Sequence, residues 1–356
     1  MSRTEETTHF WDACPAVRED LLRVQEVVDR EILRSGGTVA AGLHEFARRD
    51  SKLLRPGLII LAARIQKGTE MVSRRLVSIA AAIEMLHLAS LVHDDIIDGA
   101  DYRRGSPALH RTFPTETAVL MGDYLFARCF RLLAGNARSE NIALVSSAAA
   151  RIVTSEISGL DTESAGTQGT GIRSYRRRIM GKTAILFVLG LHLGITEGHG
   201  PHSDPHGTTA AVLRRIGFNV GMAFQIIDDI LDITGDPRRT GKPNGMDIRS
   251  GTITLPLILA VRSGGWNAFE TCFAGRGGVD DQVTFKPGAR PMTDDAVDQI
   301  CRWIEESGGT DKARRVAATY LHRALAEIVR LPAGTGRACL EAIVKRLLEQ
   351  EAVNQA

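Results

Sequence analysis

An apolar stretch at Leu91–Asp98, which reads LVHDDIID, carries three carboxylates at helical spacing. Asp94 and Asp98 are four residues apart and therefore stack one turn apart on one helix face, with Asp95 beside them. A second stretch at Phe224–Asp232 repeats the Asp-Asp-x-x-Asp spacing among Ile and Leu residues. One such string alone is also typical of a solvated helix edge. Two copies inside apolar helices predict a strongly anionic cavity, because buried carboxylates are costly unless cations compensate them.

Cations and phosphates are the expected counterparts of these two Asp clusters. Mg²⁺ prefers oxygen ligands and combines one or two carboxylates with water and substrate phosphates. Basic residues accompany the clusters along the chain: Lys52, Arg55, Arg103, Arg104, Lys182 and Lys242. Arg offers phosphate a planar fork of donors, and Lys offers a point charge. A surface salt bridge would explain any one of these residues, but together they indicate diphosphates bound partly through Mg²⁺ and partly directly.

Apolar residues recur at helical spacing along most of the chain. The predicted helices span residues 16–34, 57–66, 74–98, 117–134, 140–160, 174–195, 208–235, 252–263, 293–307, 309–329 and 334–350. No stretch shows sustained strand alternation, there is neither a GxGxxG nor a P-loop motif, and the segments 164–171 and 264–292 have loop composition. The sequence predicts an all-α fold. It also favours a single domain over residues 1–356, because the two clusters lie far apart in sequence and must meet.

Composition narrows the possible functions. The 356 residues include 44 Lys and Arg against 42 Asp and Glu, a net charge of +2, which argues against nucleic-acid binding through bulk electrostatics. The five cysteines are far apart and show no metal-ligand spacing, so we expect neither a disulfide framework nor a zinc site, and a cytoplasmic location. We expect no secretory signal. The apolar stretches near Leu58–Ala63 and Ala184–Ile195 are too short to span a bilayer.

The ordered motifs resemble those of the trans-polyprenyl diphosphate synthases, the head-to-tail prenyltransferases. The likeness covers residues from about 40 to about 260 and extends more loosely to the C-terminal helices at about 293–350. Besides the two Asp clusters, it rests on Lys52…Arg55-Pro56, Glu84-x-x-His87, Arg103-Arg104-Gly105, Gly122-Asp123-Tyr124, Lys182-Thr183, Phe224-Gln225 and Gly241-Lys242-Pro243-x-Gly245-x-Asp247. The resemblance implies an isoprenoid-synthase-type helical bundle around a deep central cavity, usually a homodimer.

The resemblance also implies a role for each matching side chain. The residues implied to hold Mg²⁺ on the allylic diphosphate are Asp94, Asp95, Asp98, Asp228, Asp229 and Asp232. Those implied to contact that diphosphate directly are Arg103, Lys182 and Lys242. Those implied to bind isopentenyl diphosphate are Lys52, Arg55, His87 and Arg104. Thr183 and Gln225 are implied to line the reaction centre. Neutralising the leaving diphosphate would release an allylic cation for attack by isopentenyl diphosphate, and the released diphosphate would then remove the proton.

Product length depends, in this family, on what blocks the growing tail below the first Asp cluster. Ala89 and Ser90 lie one turn earlier and are small, so we expect an open floor and a medium or long all-trans product. A deeper residue such as Met85 or Phe126 could close the tunnel and give geranylgeranyl diphosphate. Ala89 could also be small only because two helices pack there.

Other functions remain possible from sequence. A class I terpene cyclase also uses an Asp-rich metal motif, but it usually lacks a second Asp cluster and the isopentenyl site. A catalytic subunit that needs a small partner subunit is compatible with every motif. Arg176-Arg177-Arg178 could make peripheral contact with an anionic membrane or form a solvated helix face.

Overall fold

The structure is a computed structural model that describes residues 11–49, 53–67, 71–103, 105–165, 171–198, 207–235, 243–265 and 293–353. Most of these residues are helical. The first half contains α1 (Pro15–Leu33), α2 (Gly37–Arg49), α3 (Leu54–Lys67), α4 (Arg74–Ile97), β1 (Tyr102–Arg103), β2 (Ser106–Pro107), α5 (Leu109–Thr112), α6 (Thr115–Asn136) and α7 (Ser139–Ala165). The second half contains α8 (Ile172–Ile179), the π-helical turn π1 (Met180–Ala184), α9 (Ile185–Glu197), α10 (Thr208–Thr234), α11 (Met246–Arg249), α12 (Leu255–Ala260), the π-helical turn π2 (Val261–Gly265), α13 (Asp294–Glu306), α14 (Gly309–Ile328) and α15 (Thr335–Val353).

The chain divides into two compact units. The first unit comprises Met1–Ala149, Leu186–Gly217 and Ala324–Arg346, and the second comprises Ala150–Ile185, Phe218–Arg323 and Leu347–Ala356. The single domain expected from the sequence stays a prediction.

Helix α4 is the central element of the first unit. It is apolar on all sides, as expected for a helix surrounded by protein, and it packs most extensively against α6 and also against α1 and α3. The hydroxyl of Ser73 begins the helix by accepting a hydrogen bond from the backbone N–H of Leu76 at 3.2 Å. At the other end Asp98 is exposed. The helix therefore leads from the core to the surface exactly where the first Asp cluster lies.

Buried ion pairs tie the helices of the first unit together. The carboxylate of Glu197, at the end of α9, pairs with Arg75 and accepts hydrogen bonds from the Asn141 side chain at 2.6 Å and the Arg138 backbone N–H at 2.8 Å. The starts of α4 and α7 are thereby fixed to the end of α9. A similar pair joins Arg64 to the buried Asp20 of α1 at 2.5 Å.

A separate apolar cluster forms the core of the second unit. Its buried members are Ile233, Ile248, Leu257, Ala260, Val297, Ile300, Cys301 and Ile304. Gly245, which precedes α11, has φ of +70°, and a Cβ there would lie 2.3 Å from Cγ1 of Val297. Only glycine therefore lets the chain pass so close to α13 in this conformation.

Cys14 and Cys339 form a disulfide, with Cα atoms 5.6 Å apart and a sequence separation of 325. The expectation that no disulfide would form was wrong for this pair. The start of α1 lies beside α15 in the first unit, and spacing along the sequence contains no information about that proximity.

Three helical stretches are long and apolar enough, by length and composition, to cross a membrane: Arg74–Ile97, Ile172–Glu197 and Thr208–Thr234. Of the two apolar stretches noted in the sequence, Ala184–Ile195 covers only part of Ile172–Glu197, and Leu58–Ala63 lies outside all three. Within the structure, 78%, 72% and 67% of their most apolar windows are buried inside the protein. These apolar residues therefore belong to the protein core.

Candidate active site

The first Asp cluster contains carboxylates in two different environments. Asp94 is half-buried and Asp98 is exposed, whereas Asp95 is only 4% exposed. The Nε–H of Arg103 points at Asp95, 2.9 Å from Oδ1 and 2.8 Å from Oδ2. The short hairpin of β1 and β2, which turns at Gly105, brings Arg103 back to the helix. Asp95 is thus neutralised within the protein, which leaves Asp94 and Asp98 as the more accessible pair.

His93 connects this cluster to α6. Its Nε2 lies 3.2 Å from the carbonyl oxygen of Val119, to which it can donate, and 3.5 Å from a carboxylate oxygen of Asp123. A Cβ on Gly122 would lie 2.3 Å from the same nitrogen. The glycine of the Gly122-Asp123-Tyr124 motif therefore makes room for the imidazole next to Asp94.

The second Asp cluster shows the same division. Asp228 is exposed, whereas Asp229 is 4% and Asp232 2% exposed. Asp229 accepts a hydrogen bond from the hydroxyl of Tyr175 at 2.6 Å and one from Nε2 of Gln225 at 2.9 Å. Asp232 accepts a hydrogen bond at 3.0 Å from the backbone N–H of Asp247. This contact stabilises the start of α11, where Gly245 has no side chain that could cap the helix.

The two residues implied to line the reaction centre are in contact. The hydroxyl of Thr183 donates to Oε1 of Gln225 at 2.6 Å. Thr183 lies in π1, whose extra residue per turn changes the direction of the following side chains, as is common for π-turns at functional sites. The adjacent Lys182 forms an ion pair with Glu156 at 3.0 Å.

The electrostatics of the second cluster depend on burial. Burial raises the pKa of Asp229 to about 7, the charge of Asp228 adds to the rise, and the hydrogen bonds from Tyr175 and Gln225 oppose it. Burial, together with the charge of Asp229, also raises the pKa of Tyr175 well above its usual range. Tyr175 therefore remains a phenol donor at neutral pH.

Of the residues implied to bind isopentenyl diphosphate, Arg55 and His87 are described, and both lie in the first unit. Arg55 is half-buried in the first turn of α3, with its guanidinium 5.6 Å from the ring centroid of Phe187. Leu53, just before the helix, has φ of +45°, a strained conformation for a branched residue and one that occurs at ligand sites. His87 is half-buried on α4. Lys52, Arg104 and Lys242 lie outside the described residues.

The residues expected to control product length are also on α4. Ala89 is 1% exposed, and Ser90 is half-buried with its hydroxyl donating to the His87 carbonyl at 2.7 Å. Met85 is fully buried one turn before Ala89, whereas Phe126 is 36% exposed. Of the two deeper blocking residues considered, Met85 is therefore the one inside the core.

Comparison with known proteins identifies this arrangement. The family profile described as polyprenyl synthetase matches residues 38–275. The chain belongs to the polyprenyl synthetase family. A nonaprenyl diphosphate synthase from Mycobacterium tuberculosis is 31% identical over 92% of each chain. Component 2 of a heptaprenyl diphosphate synthase from Geobacillus stearothermophilus is 35% identical over 68% of this chain and 73% of its own.

A solved structure supports the assignment to the polyprenyl synthetase family. The polyprenyl synthase from Caulobacter crescentus, complexed with calcium and isoprenyl diphosphate, matches with a TM-score of 0.80, 27% identity and 97% coverage of both chains. The predictions of the family, of an all-α fold and of a prenyltransferase are confirmed.

The accessible carboxylates of this polyprenyl synthetase chain suit a hard divalent cation. Among the described residues, no group of three or more His, Cys, Asp or Glu side chains forms a ready metal cage. Mg²⁺ does not need one, because it retains water and takes substrate phosphate oxygens alongside one or two carboxylates. Asp94 with Asp98, and separately Asp228, can supply such oxygens.

Sequence reasoning missed Tyr175 as a site residue. The available signal was its position in α8, whose sequence IRSYRRRI is otherwise basic and polar except for isoleucines. Tyr175 and Ile179 stand four residues apart and form the buried face of that helix. A tyrosine on such a face needs a buried partner for its hydroxyl, and that partner is Asp229.

Proposed function

We propose that the chain condenses isopentenyl diphosphate with an allylic diphosphate to give an all-trans polyprenyl diphosphate of medium or long chain length. The division within both Asp clusters carries this proposal. Protein donors hold one buried carboxylate in the first cluster, Asp95, and two in the second, Asp229 and Asp232, whereas the first carboxylate of each cluster is more exposed. Relatives named as nonaprenyl and heptaprenyl diphosphate synthases support the product length.

The proposed mechanism uses the family's assignments for this chain's residues except at Asp95, Asp229 and Asp232, whose carboxylates accept hydrogen bonds from the protein. Asp94 with Asp98, and separately Asp228, would hold Mg²⁺, whose charge would stabilise the leaving diphosphate. Arg103, Lys182 and Lys242 would bind that diphosphate directly. The residues that would hold isopentenyl diphosphate are Lys52, Arg55, His87 and Arg104. Thr183 and Gln225 would face the reacting carbons, where a fixed polar environment stabilises the transient cation.

The test is a primer screen with purified protein. Labelled isopentenyl diphosphate and Mg²⁺ are incubated with dimethylallyl, geranyl, farnesyl or geranylgeranyl diphosphate, and the dephosphorylated products are sized. We expect a ladder that ends at one long polyprenol and disappears when EDTA removes the metal. A ladder ending at geranylgeraniol would establish the shorter product instead. Hydrocarbon formed from an allylic substrate alone would establish a terpene cyclase and overturn the proposal.

We further propose that the protein is a homodimer. The apolar side chains of Val119, Leu120 and Phe126 on α6 are 38%, 66% and 36% exposed, and a second copy would cover them. The relative named as component 2 suggests the alternative of a small partner subunit. Light scattering should show a dimer, and Leu120→Lys should weaken it. A monomer that elongates no primer until a second protein is added would favour the heteromeric enzyme.

Peripheral membrane contact and a cytoplasmic location stay predictions. Arg176 and Arg177 are exposed on α8, whereas Arg178 is half-buried and donates to the Ile253 carbonyl at 2.6 Å. We propose that the exposed pair meets anionic lipid. Sedimentation with phosphatidylglycerol vesicles should exceed sedimentation with phosphatidylcholine vesicles, and Arg176→Gln with Arg177→Gln should remove the difference. Equal sedimentation of the unaltered protein would leave the pair as a solvated helix face.

A further inference from the structure

A chain of three hydrogen bonds joins four side chains in the second unit. Tyr175 donates to Oδ2 of Asp229 at 2.6 Å, and Gln225 donates to Oδ1 of the same carboxylate at 2.9 Å. Thr183 then donates to Oε1 of Gln225 at 2.6 Å. Tyr175, Asp229 and Thr183 are 2%, 4% and 6% exposed. The bond between Tyr175 and Asp229 is buried, and the two bonds of the half-buried Gln225 are partly shielded from water. Displacing a partner from the buried bond would be costly.

The chain has one consistent direction. In its ionised form Asp229 only accepts hydrogen bonds, so it then requires the Nε2 end of the Gln225 amide to face it, as in this structure. The Oε1 end must then face Thr183, whose hydroxyl proton is thereby directed at Gln225. The hydroxyl oxygen of Thr183 is left to present lone pairs, and not its proton, in other directions. Such an orientation suits a neighbour of positive charge.

Two contacts set this geometry, one from a residue before π1 and one from a residue within it. Tyr175 precedes the turn and bonds to Asp229, while Thr183 lies within it and bonds to Gln225, one turn before Asp229 on α10. The guanidinium of Arg178 lies over the ring of Tyr175, 5.7 Å from its centroid. The hydroxyl of Tyr175 is therefore the contact that fixes the far end of the hydrogen-bond chain.

We propose that Tyr175 is a positioning residue for prenyl transfer, acting through Asp229 and Gln225 on the Thr183 hydroxyl. The inference rests on the proposed function and goes beyond it in one respect. Asp229, which the resemblance places among the metal ligands, serves as the centre of the hydrogen-bond chain because both its oxygens already accept bonds and little of it is exposed. Metal binding by the second cluster then depends on Asp228.

Kinetics of Tyr175→Phe test the proposal directly. The change removes one hydroxyl and keeps the ring. We expect single-turnover condensation to slow by about tenfold, the loss of roughly one buried hydrogen bond to a charged group. The KM for isopentenyl diphosphate and the Mg²⁺ concentration for half-maximal rate should change by less than about twofold. Tyr320→Phe is the matched control, because Tyr320 is a buried tyrosine of the same unit whose ring contacts Phe218, Arg176 and Arg323.

Double variants separate positioning from a general structural effect. On a Thr183→Val background, Tyr175→Phe should slow the reaction by less than about twofold, because the group it positions is gone. If the rate reduction in the double variant equals the product of the reductions in the two single variants, the proposal is overturned. Asp229→Asn should slow turnover without changing the Mg²⁺ concentration for half-maximal rate, whereas Asp228→Asn should raise that concentration. An equal rise in the two variants would show that Asp229 is a metal ligand.

The last readout is independent of turnover. In protein labelled with ¹³C-methyl threonine, the Thr183 methyl resonance should shift in Tyr175→Phe and stay in place in Tyr320→Phe. An unmoved resonance in Tyr175→Phe overturns the hydrogen-bond chain whatever the enzyme's activity. Failure of the unaltered protein to elongate any primer, with the resonance shifting as expected, would instead overturn the proposed function and with it the role in catalysis.

Discussion

At the scale of single residues, each Asp cluster combines at least one buried carboxylate that accepts hydrogen bonds from the protein with a first carboxylate that is more exposed. Asp95 and Asp229 are buried against Arg103 and against Tyr175 with Gln225. Asp94 and Asp228 precede them and are more exposed. Adjacent aspartates on a helix point about 100° apart, so one can face the interior while its neighbour faces a ligand.

Asp94→Asn and Asp228→Asn should each reduce turnover by at least about 10²-fold, because each removes charge that would hold a metal on the leaving group. The folded state should be as stable as before or more so, since crowded carboxylates repel one another. Steady-state elongation assays and urea unfolding check both parts. Near-normal turnover in both variants would contradict the mechanism.

The pattern of residue types predicts the candidate site residues. It does not predict which of them contact one another in the folded chain. Metal and phosphate chemistry demands carboxylates and cations at set spacings, which is why the sequence predicts roles for the two clusters and for Lys182-Thr183. The internal partners of Asp95 and Asp229 could not be separated from ligand contacts in advance. Arg103 was expected to contact phosphate and lies on Asp95 in this structure.

At the scale of elements, close contacts between helices explain two motif positions. Gly122→Ala should displace His93, because the added Cβ would lie 2.3 Å from its Nε2. We expect a loss of about 1–3 kcal/mol in the free energy of unfolding, as for other overpacked sites, and slower turnover because Asp94 adjoins His93. Gly135→Ala on the same helix is the control, since a Cβ there meets nothing within 4 Å. Equal stability of the two variants would contradict the role of Gly122.

The end of α9 is a second place where contacts between helices should determine stability. Glu197→Ala removes the buried carboxylate that joins α9 to the starts of α4 and α7. The expected loss is about 3 kcal/mol, the lower end for a broken buried pair, because Arg75 is 40% exposed and regains water. Urea unfolding measures it. Glu341→Ala, which breaks an exposed pair with Lys345, should leave the urea midpoint nearly unchanged; a comparable shift there would contradict the special role of Glu197.

Helical periodicity predicted most elements and failed where the backbone departs from it. The pattern at 174–195 reads as one helix, but π1 interrupts it and an extra residue per turn leaves no clear mark on an apolar pattern. Helix α2 was not among the predicted helices; it begins at Gly37 directly after Gly36, and adjacent glycines are a turn signal that hides a helix start. The hairpin of β1 and β2 is too short for strand alternation to show.

At the scale of the whole molecule, product length should respond to the volume at Ala89. Ala89→Leu and Ala89→Phe add increasing bulk at a position that is 1% exposed on α4. If the growing tail passes here, the product should shorten in that order, and sizing the dephosphorylated products decides it. Identical product distributions in two folded variants would show that the tail follows another path and that Ala89 is small for helix packing.

The link between Cys14 and Cys339 makes nearly the whole chain a covalent ring. A single protease cut anywhere between these positions would leave one molecule on a non-reducing gel and two fragments after reduction. Ring closure over 325 residues also shrinks the unfolded ensemble, which the chain-entropy relation values at about 6 kcal/mol. The melting temperature should therefore fall in dithiothreitol, and in Cys14→Ala it should be low and insensitive to the reductant. The redox state of its surroundings would then decide whether this chain is covalently closed or linear.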